Sequence, residues 1–136
     1  MIFGIGTDVI EVDRVRAVYE RHGEHFVRRL LLPEEEAAFR RGQRPVRFLA
    51  MRFAAKEAIV KAMGTGFAHG MWIRDTGFVQ NDWGRPGIIW SERGRSMCAR
   101  LGIGEGHVTL TDEAGLVVAV AVLLRADGST VRSGRD

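Results

Sequence analysis

Residues 45–63 leave this chain few ways to fold. Val46, Leu49, Ala50, Phe53, Ala54 and Val60 recur at helical spacing, Pro45 suits a first helical position, and Gly64 is a natural stop. A helix of that length must be covered by everything else in a chain of 136 residues, which is enough for one domain with one core. The flanking pattern supplies the cover. Ile2–Ile10 reads as a strand with Gly4 and Gly6 inside it, and period-2 alternation puts Asp8 on the face of Ile2 and Ile10. Asp13–Arg21 reads as a helix, Glu24–Leu32 as a short helix or turn, and Pro33 opens a helix that ends near Gly42.

Beyond the long helix, Met71–Gln80 reads as a strand, Asn81-Asp82-Trp83-Gly84 as a turn, and Gly87–Trp90 as a short strand. Ser91 caps a helix over Glu92–Leu101. His107–Thr111 and Leu116–Leu124 read as an antiparallel hairpin. The predicted class is α+β: an antiparallel sheet packed against the long helix and shorter ones, one domain over 1–125 with a flexible tail over 126–136.

Composition narrows the function. A basic n-region is absent, so no secretory signal is expected, and the apolar run Leu116–Leu124 falls far short of the ~20 residues that span a bilayer. The lone Cys98 rules out an intrachain disulfide, fits a reducing cytoplasmic setting, and reads as a small buried apolar residue. A net charge of +3 suits an anionic ligand or an acidic protein partner. Nucleic acid is not indicated, because a basic run and an aromatic RNA motif are both missing. Of the 20 basic residues only Lys56 and Lys61 are lysines, which suggests ammonium chemistry in that one segment.

The chemistry concentrates in three places. Glu57 and Lys61 lie four apart on one helical face beside the apolar stripe; the ordinary reading is a surface ion pair, and the sharper one a partly buried functional pair. Asp8 offers a second carboxylate, and two converging carboxylates suit Mg²⁺, which keeps waters and substrate phosphates in its shell. Gly64-Thr65-Gly66 combines loop amides with a hydroxyl, a pattern able to hold phosphate, although a helix needs its glycine stop in any case. His22, His25, His69 and His107 have no zinc-ligand spacing, and GxSxG, Walker and dinucleotide fingerprints are absent.

These segments resemble a known family in order. Phe3-Gly4-Ile5-Gly6-Thr7-Asp8-Val9-Ile10-Glu11, the run from Phe48 to Gly66 around Lys56-Glu57-Ala58 and Lys61, Asn81-Asp82-Trp83-Gly84-Arg85-Pro86, and His107-Val108-Thr109-Leu110-Thr111 are similar to the motifs of holo-acyl-carrier-protein synthases, over about residues 2–124. The resemblance implies a 4'-phosphopantetheinyl transferase fold. It implies Mg²⁺-dependent transfer of phosphopantetheine from coenzyme A to a serine of an apo carrier protein of fatty-acid or polyketide synthesis, releasing adenosine 3',5'-bisphosphate. It places metal ligands at Asp8 and Glu57, and a phosphate-contacting lysine at Lys61. Coenzyme A contacts fall at Lys61, Gly64, Thr65, Gly66, Asn81, Gly84, Pro86, His107 and Thr109, and carrier contacts at Arg14 and Arg21 on the basic first helix. It also implies a homotrimer with sites between subunits.

One departure stands out: relatives carry a second His after the hairpin motif, where this chain has Asp112, so coenzyme A or carrier preference could shift there. Candidates for the serine proton are a hydroxide on the metal, a carboxylate and Lys61. Two other readings compete, a coenzyme A or nucleotide-binding module without catalysis and a basic RNA-binding domain. The first predicts binding without metal dependence and the second salt-sensitive RNA affinity.

Overall fold

The computed structural model describes residues 1–127, so most of the tail expected over 126–136 lies outside the described residues. In chain order the elements are β1 (Ile2–Glu11), α1 (Val12–His22), α2 (Glu24–Leu30), α3 (Pro33–Arg41), α4 (Pro45–Met63), β2 (Thr76–Gln80), β3 (Pro86–Trp90), α5 (Glu92–Leu101), β4 (Ile103–Glu113) and β5 (Leu116–Arg125). The α+β reading holds, with two antiparallel sheets, β1-β5-β4 and β2-β3. Helix α4 is the hub. It packs on the inner face of the larger sheet, and Leu49, Ala54, Ala55, Ala58, Ile59 and Val60 are fully buried. The C-cap Gly64 sits in the left-handed region, as a glycine stop should.

The inner face of the larger sheet alternates as a half-buried strand must. Val117, Ala119, Ala121 and Leu123 of β5 are wholly buried, while Val118, Val120 and Val122 face the other way. On β1, Gly4 and Gly6 face α4 at a distance no side chain permits: a Cβ on either would lie 2.0 Å from the carbonyl oxygen of Ala62 or Ala58. Asp8 and Ile10 continue that face, as expected. Ile2 does not join it. A register shift between Ile2 and Gly4 breaks the alternation, and Ile2 is exposed.

The outer face of the sheet is apolar in the middle. Ile5 and Val9 are about 60% exposed, and they flank Val118, Val120 and Val122 of the neighbouring strand. His107, Thr109 and Thr111 of β4 pair with Val122, Val120 and Val118 and so stand on that same outer face.

Two strand starts, those of β2 and β4, lie several residues from the sequence reading. The segment before Thr76 is a short 3₁₀ turn, Ile73–Asp75, rather than strand, because Asp75 takes it into a polar knot. Its carboxylate accepts from the Trp72 amide (2.8 Å), the Ser91 hydroxyl (2.7 Å) and Arg93 Nε (3.0 Å). Strand β4 begins at Ile103, ahead of the expected His107. Cys98 is buried, and burial pushes its thiol up to about 11, which leaves it unreactive.

Lys56 corrects the expectation drawn from the two lysines. It is fully buried and donates to Glu35 Oε1 (2.7 Å) and the Thr76 carbonyl (2.6 Å). Glu35, also fully buried, further accepts from the amides of Leu32 and Phe78 (3.0 Å each). Arg52 donates to the Phe78 carbonyl and lies between the rings of Phe48 and Phe78, 4.0 and 3.8 Å from their centroids. This network ties α3, α4 and β2 together, with every charged group partnered.

Candidate active site

Asp8 is carried into place by β1, whose glycines let the strand press against α4, and it arrives beside the last turns of that helix. Lys61 Nζ donates to the Asp8 carboxylate (3.2 Å) and to the Thr7 carbonyl (3.1 Å). The sequence suggested that Lys61 pairs with Glu57 along the helix. The ion pair it forms is instead across to the strand, with Asp8. Lys61 remains half exposed, so its ammonium is held at one side and open at the other.

Glu57 lies one turn before Lys61. It lines a cleft of about 390 Å³ together with Asp8, Val9, Ile10, Arg14 and Phe53, closed on its apolar side by Val15, Val18 and Phe26. Burial raises the Glu57 carboxyl above the ordinary glutamate range, the negative charge of Asp8 raises it further, and Lys61 offsets part of the shift. Two carboxylates from two different elements face one cleft, an arrangement of oxygen donors that suits a divalent cation. Among the described residues no third His, Cys, Asp or Glu joins them. Two oxygen donors suit Mg²⁺, which fills its remaining positions with water and phosphate, and do not suit a structural zinc site.

The remaining expected residues fall into distinct groups. Pro86, His107 and Thr109 line a second cleft of about 430 Å³ with Arg85, Val108, Val120 and Val122. His107 and Thr109 stand on the outer face of the sheet, whereas Asp8 faces inward to α4, so within one chain the two groups lie on opposite faces. Asn81 and Gly84 build the β2–β3 turn. The Asn81 side-chain oxygen accepts from the amides of Trp83 (2.9 Å) and Arg85 (3.0 Å), and Gly84 takes a positive φ of 83°. Arg14 and Arg21 lie on one exposed face of α1, seven residues apart, and Arg14 reaches the cleft rim.

The phosphate cradle expected from the amides of Gly64-Thr65-Gly66 is not formed. All three amides turn back on α4: Gly64 donates to the Lys61 carbonyl (3.0 Å), Thr65 and Gly66 to the Val60 carbonyl (3.2 and 3.1 Å). The loop is a helix C-cap, and its amides are already used.

Glu35 reads in the sequence only as one of three first-turn acids, and its burial is not evident from its neighbours in α3. The signal was available in its placement after the apolar run Leu30–Leu32. The sequence offers no partner for Asp112 among its neighbours. The structure gives it Arg47 of α4, which donates through Nε (3.0 Å) and a terminal nitrogen (2.9 Å) in a two-pronged clasp. The Arg47 guanidinium holds the Asp112 carboxyl below its ordinary range.

The chain as a whole is similar to known proteins. Residues 4–121 match the family model of the 4'-phosphopantetheinyl transferase superfamily. A holo-acyl-carrier-protein synthase of Halorhodospira halophila is 43% identical over 124 residues, 91% of this chain and 98% of the relative. One of Hamiltonella defensa is 38% identical over 90% of this chain and 97% of the relative. Among solved structures, a holo-acyl-carrier-protein synthase of Neisseria meningitidis superposes with a TM-score of 0.87 at 34% identity, covering 92% of this chain and all of that one. One of Bacillus anthracis, solved in complex with CoA (3',5'-ADP), superposes with a TM-score of 0.74 at 31% identity, covering 93% of this chain and 98% of that one.

Proposed function

The chain belongs to the 4'-phosphopantetheinyl transferase superfamily, and from that premise we propose that it transfers the phosphopantetheine of coenzyme A to a serine of an apo acyl carrier protein. The observation that carries the reading is the convergence of Asp8 and Glu57 at one cleft from a strand and a helix, with Lys61 bonded to Asp8 beside it. The serine oxygen attacks the phosphorus that bears the pantetheine arm, the bond to the bridging oxygen breaks, and adenosine 3',5'-bisphosphate leaves. Asp8 and Glu57 would hold Mg²⁺, which would supply charge neutralisation to the pyrophosphate. Lys61, anchored by Thr7 and Asp8 and open on its other side, gives a phosphate oxygen a fixed positive partner. The titratable groups around the serine proton are Asp8, Glu57 and Lys61.

The second cleft, with Arg85, Pro86, His107 and Thr109, has the charge and the apolar wall that suit the nucleotide end of coenzyme A. It faces away from Asp8. A homotrimer that packs the exposed apolar sheet faces around Ile5 and Val9 resolves this, bringing the nucleotide cleft of one subunit to the carboxylates of another. The basic face of α1, with Arg14 and Arg21, meets the acidic carrier protein, of fatty-acid or polyketide synthesis. The described residues include no helix long and apolar enough to cross a membrane, and with the single buried thiol this supports a cytoplasmic setting.

The test is a mass measurement. Apo carrier protein mixed with this protein, coenzyme A and Mg²⁺ gains one phosphopantetheine, and chelation of the metal abolishes the gain. An unchanged mass, with the protein folded and several carrier proteins tried, refutes the reading.

A further inference from the structure

Phe26 has a cleft on each side. On one side it closes the apolar end of the cleft that holds Asp8 and Glu57. On the other it lines a third cleft, of about 380 Å³, with His22, His25, Arg29, Leu30 and Ile73. The floor there is apolar, with Leu30 buried and Phe26 and Ile73 half-buried, and the rim is basic, with His22, His25 and Arg29 exposed. Gly23 fixes the corner. Its amide donates to the Tyr19 carbonyl at the end of α1 (2.7 Å), and its carbonyl accepts from the amides of Phe26 (3.1 Å) and Val27 (3.3 Å) in α2. One residue with a φ of 51° ends one helix and begins the next, so His22 and His25 stand on either side of a fixed bend.

The charges around the two imidazoles leave the rim positive. Arg29 shares the cleft, Arg21 precedes His22, and Arg28 follows on α2. Arg74 comes from the 3₁₀ turn packed on α2 and donates to the Leu31 carbonyl (3.0 Å). The neighbouring carboxylates are committed elsewhere. Glu24 and Glu36 are bound by Arg40 of α3, and Asp75 by Ser91 and Arg93. Glu57 of α4 lines the other cleft, and Glu20, two residues before His22, lies on the opposite side of α1. Among the described residues neither imidazole has a hydrogen-bond or ion-pair partner.

An acceptor protein that brings a serine to Asp8 and Glu57 is far larger than the cleft they line, so its body covers the rim. From Arg14 to His22 is about 12 Å along α1, comparable to the width of one helix with its side chains. An acidic helix laid over Arg14 and Arg21 reaches past Phe26 to His22 and His25.

We propose that His22 and His25 are the far end of the carrier-protein docking surface and make docking depend on pH: as imidazolium groups they receive a carboxylate of the carrier's acidic helix, and as neutral imidazoles they do not attract it. This rests on the carrier reading above and names residues outside the catalytic cleft that tune affinity for the carrier. A histidine side chain changes charge between about pH 5 and 8, whereas exposed aspartate and glutamate remain ionised across that range. Acidification therefore adds positive charge at the bend, while the arginines keep theirs.

Binding is measured with an apo carrier protein of fatty-acid synthesis whose acceptor serine is replaced by alanine, so that no transfer occurs. Its Kd is read by titration calorimetry at low ionic strength, at about pH 5.5 and about pH 8, on either side of the imidazole range. The parent binds about fivefold more tightly at the lower pH, the scale of two exposed ion pairs. In the double variant His22→Gln with His25→Gln, the two constants agree within about twofold. The double variant His22→Arg with His25→Arg carries fixed charge, and its affinity at the higher pH rises to that of the parent at the lower. Both positions are exposed, so the variants keep the fold. If the parent binds equally at both pH values, or if the glutamine variant keeps the parent's pH dependence, the imidazoles are not the contact and the proposal falls. If the parent transfers phosphopantetheine to no carrier protein, the transferase reading itself fails, and the proposal with it.

Discussion

Lys56 and Lys61 sit five residues apart on one helix, and they have opposite surroundings. Lys56 is sealed between Glu35 and the Thr76 carbonyl, with no exposed surface. Lys61 touches Asp8 and the Thr7 carbonyl and leaves half its side chain to solvent. Around Lys56 every charged group is hydrogen-bonded within the protein, with Glu35 facing both Lys56 and Arg52. Around Lys61 the groups stay open: Asp8 and Glu57 line a cleft with Arg14 at its rim, and Lys61 reaches only Asp8 and the Thr7 carbonyl. The closed set holds elements together, and the open set faces a cleft of about 390 Å³. The same residue type thus serves structure or chemistry according to whether its partners are complete.

That contrast can be broken first at its closed end. Lys56→Met leaves Glu35 buried without its ammonium and costs about 3–5 kcal/mol of stability in chemical denaturation. A variant that keeps its stability but loses turnover would show that Lys56 belongs to the site. At the open end the effect moves to activity. Glu57→Gln lowers turnover by about 10²–10³ in the carrier-protein mass assay, the scale seen for a single electrostatic group. Its melting temperature at neutral pH is unchanged or raised. The sign follows from linkage: a carboxyl raised by burial binds its proton more tightly when folded, so its ionisation removes stability as pH rises through that window. The amide has no such penalty.

Between the two ends lies the strand that joins them. Gly6→Ala drives a methyl into the Ala58 carbonyl and costs about 1–3 kcal/mol as an overpacking change, with a loss of activity per folded molecule as Asp8 is displaced. A pH titration sharpens the open end further. The Mg²⁺ concentration for half-maximal transfer climbs as pH falls through the raised Glu57 range, by up to about tenfold per pH unit, and begins to climb above the ordinary glutamate value of about 4.3. The smallest effect is outside both sets. Arg47→Ala opens the clasp to Asp112, whose members are each about a third exposed, and costs about 0.2–1 kcal/mol in the same denaturation assay.

Much of this was legible in the chain because the periodicities are local. Pro45 and Gly64 bracket α4 as read, and the alternation of β5 survives intact. Asp8 and Glu57, which the order of motifs groups together, line one cleft. What stayed hidden depends on distant partners. Nothing near Lys56 in sequence marks it as buried against Glu35, twenty-one residues earlier. The spacing of Glu57 and Lys61 favoured a pair along the helix, yet the strand offered Lys61 a carboxylate and a carbonyl together, and that bidentate anchor wins. Gly64-Thr65-Gly66 showed the composition of a cradle, while the direction of its amides is settled only by the helix they cap.

The contact of Gly4 and Gly6 with the carbonyls of Ala62 and Ala58 is made by backbone alone. A joint of that kind contains no rotamers to hop and no soft side chain to creep as the temperature rises. The carboxylate mounted on it should therefore keep its place on heating until the strand itself is released. Activity against temperature would then end in a break that coincides with loss of hydrogen-exchange protection in β1, without a gradual slackening beforehand.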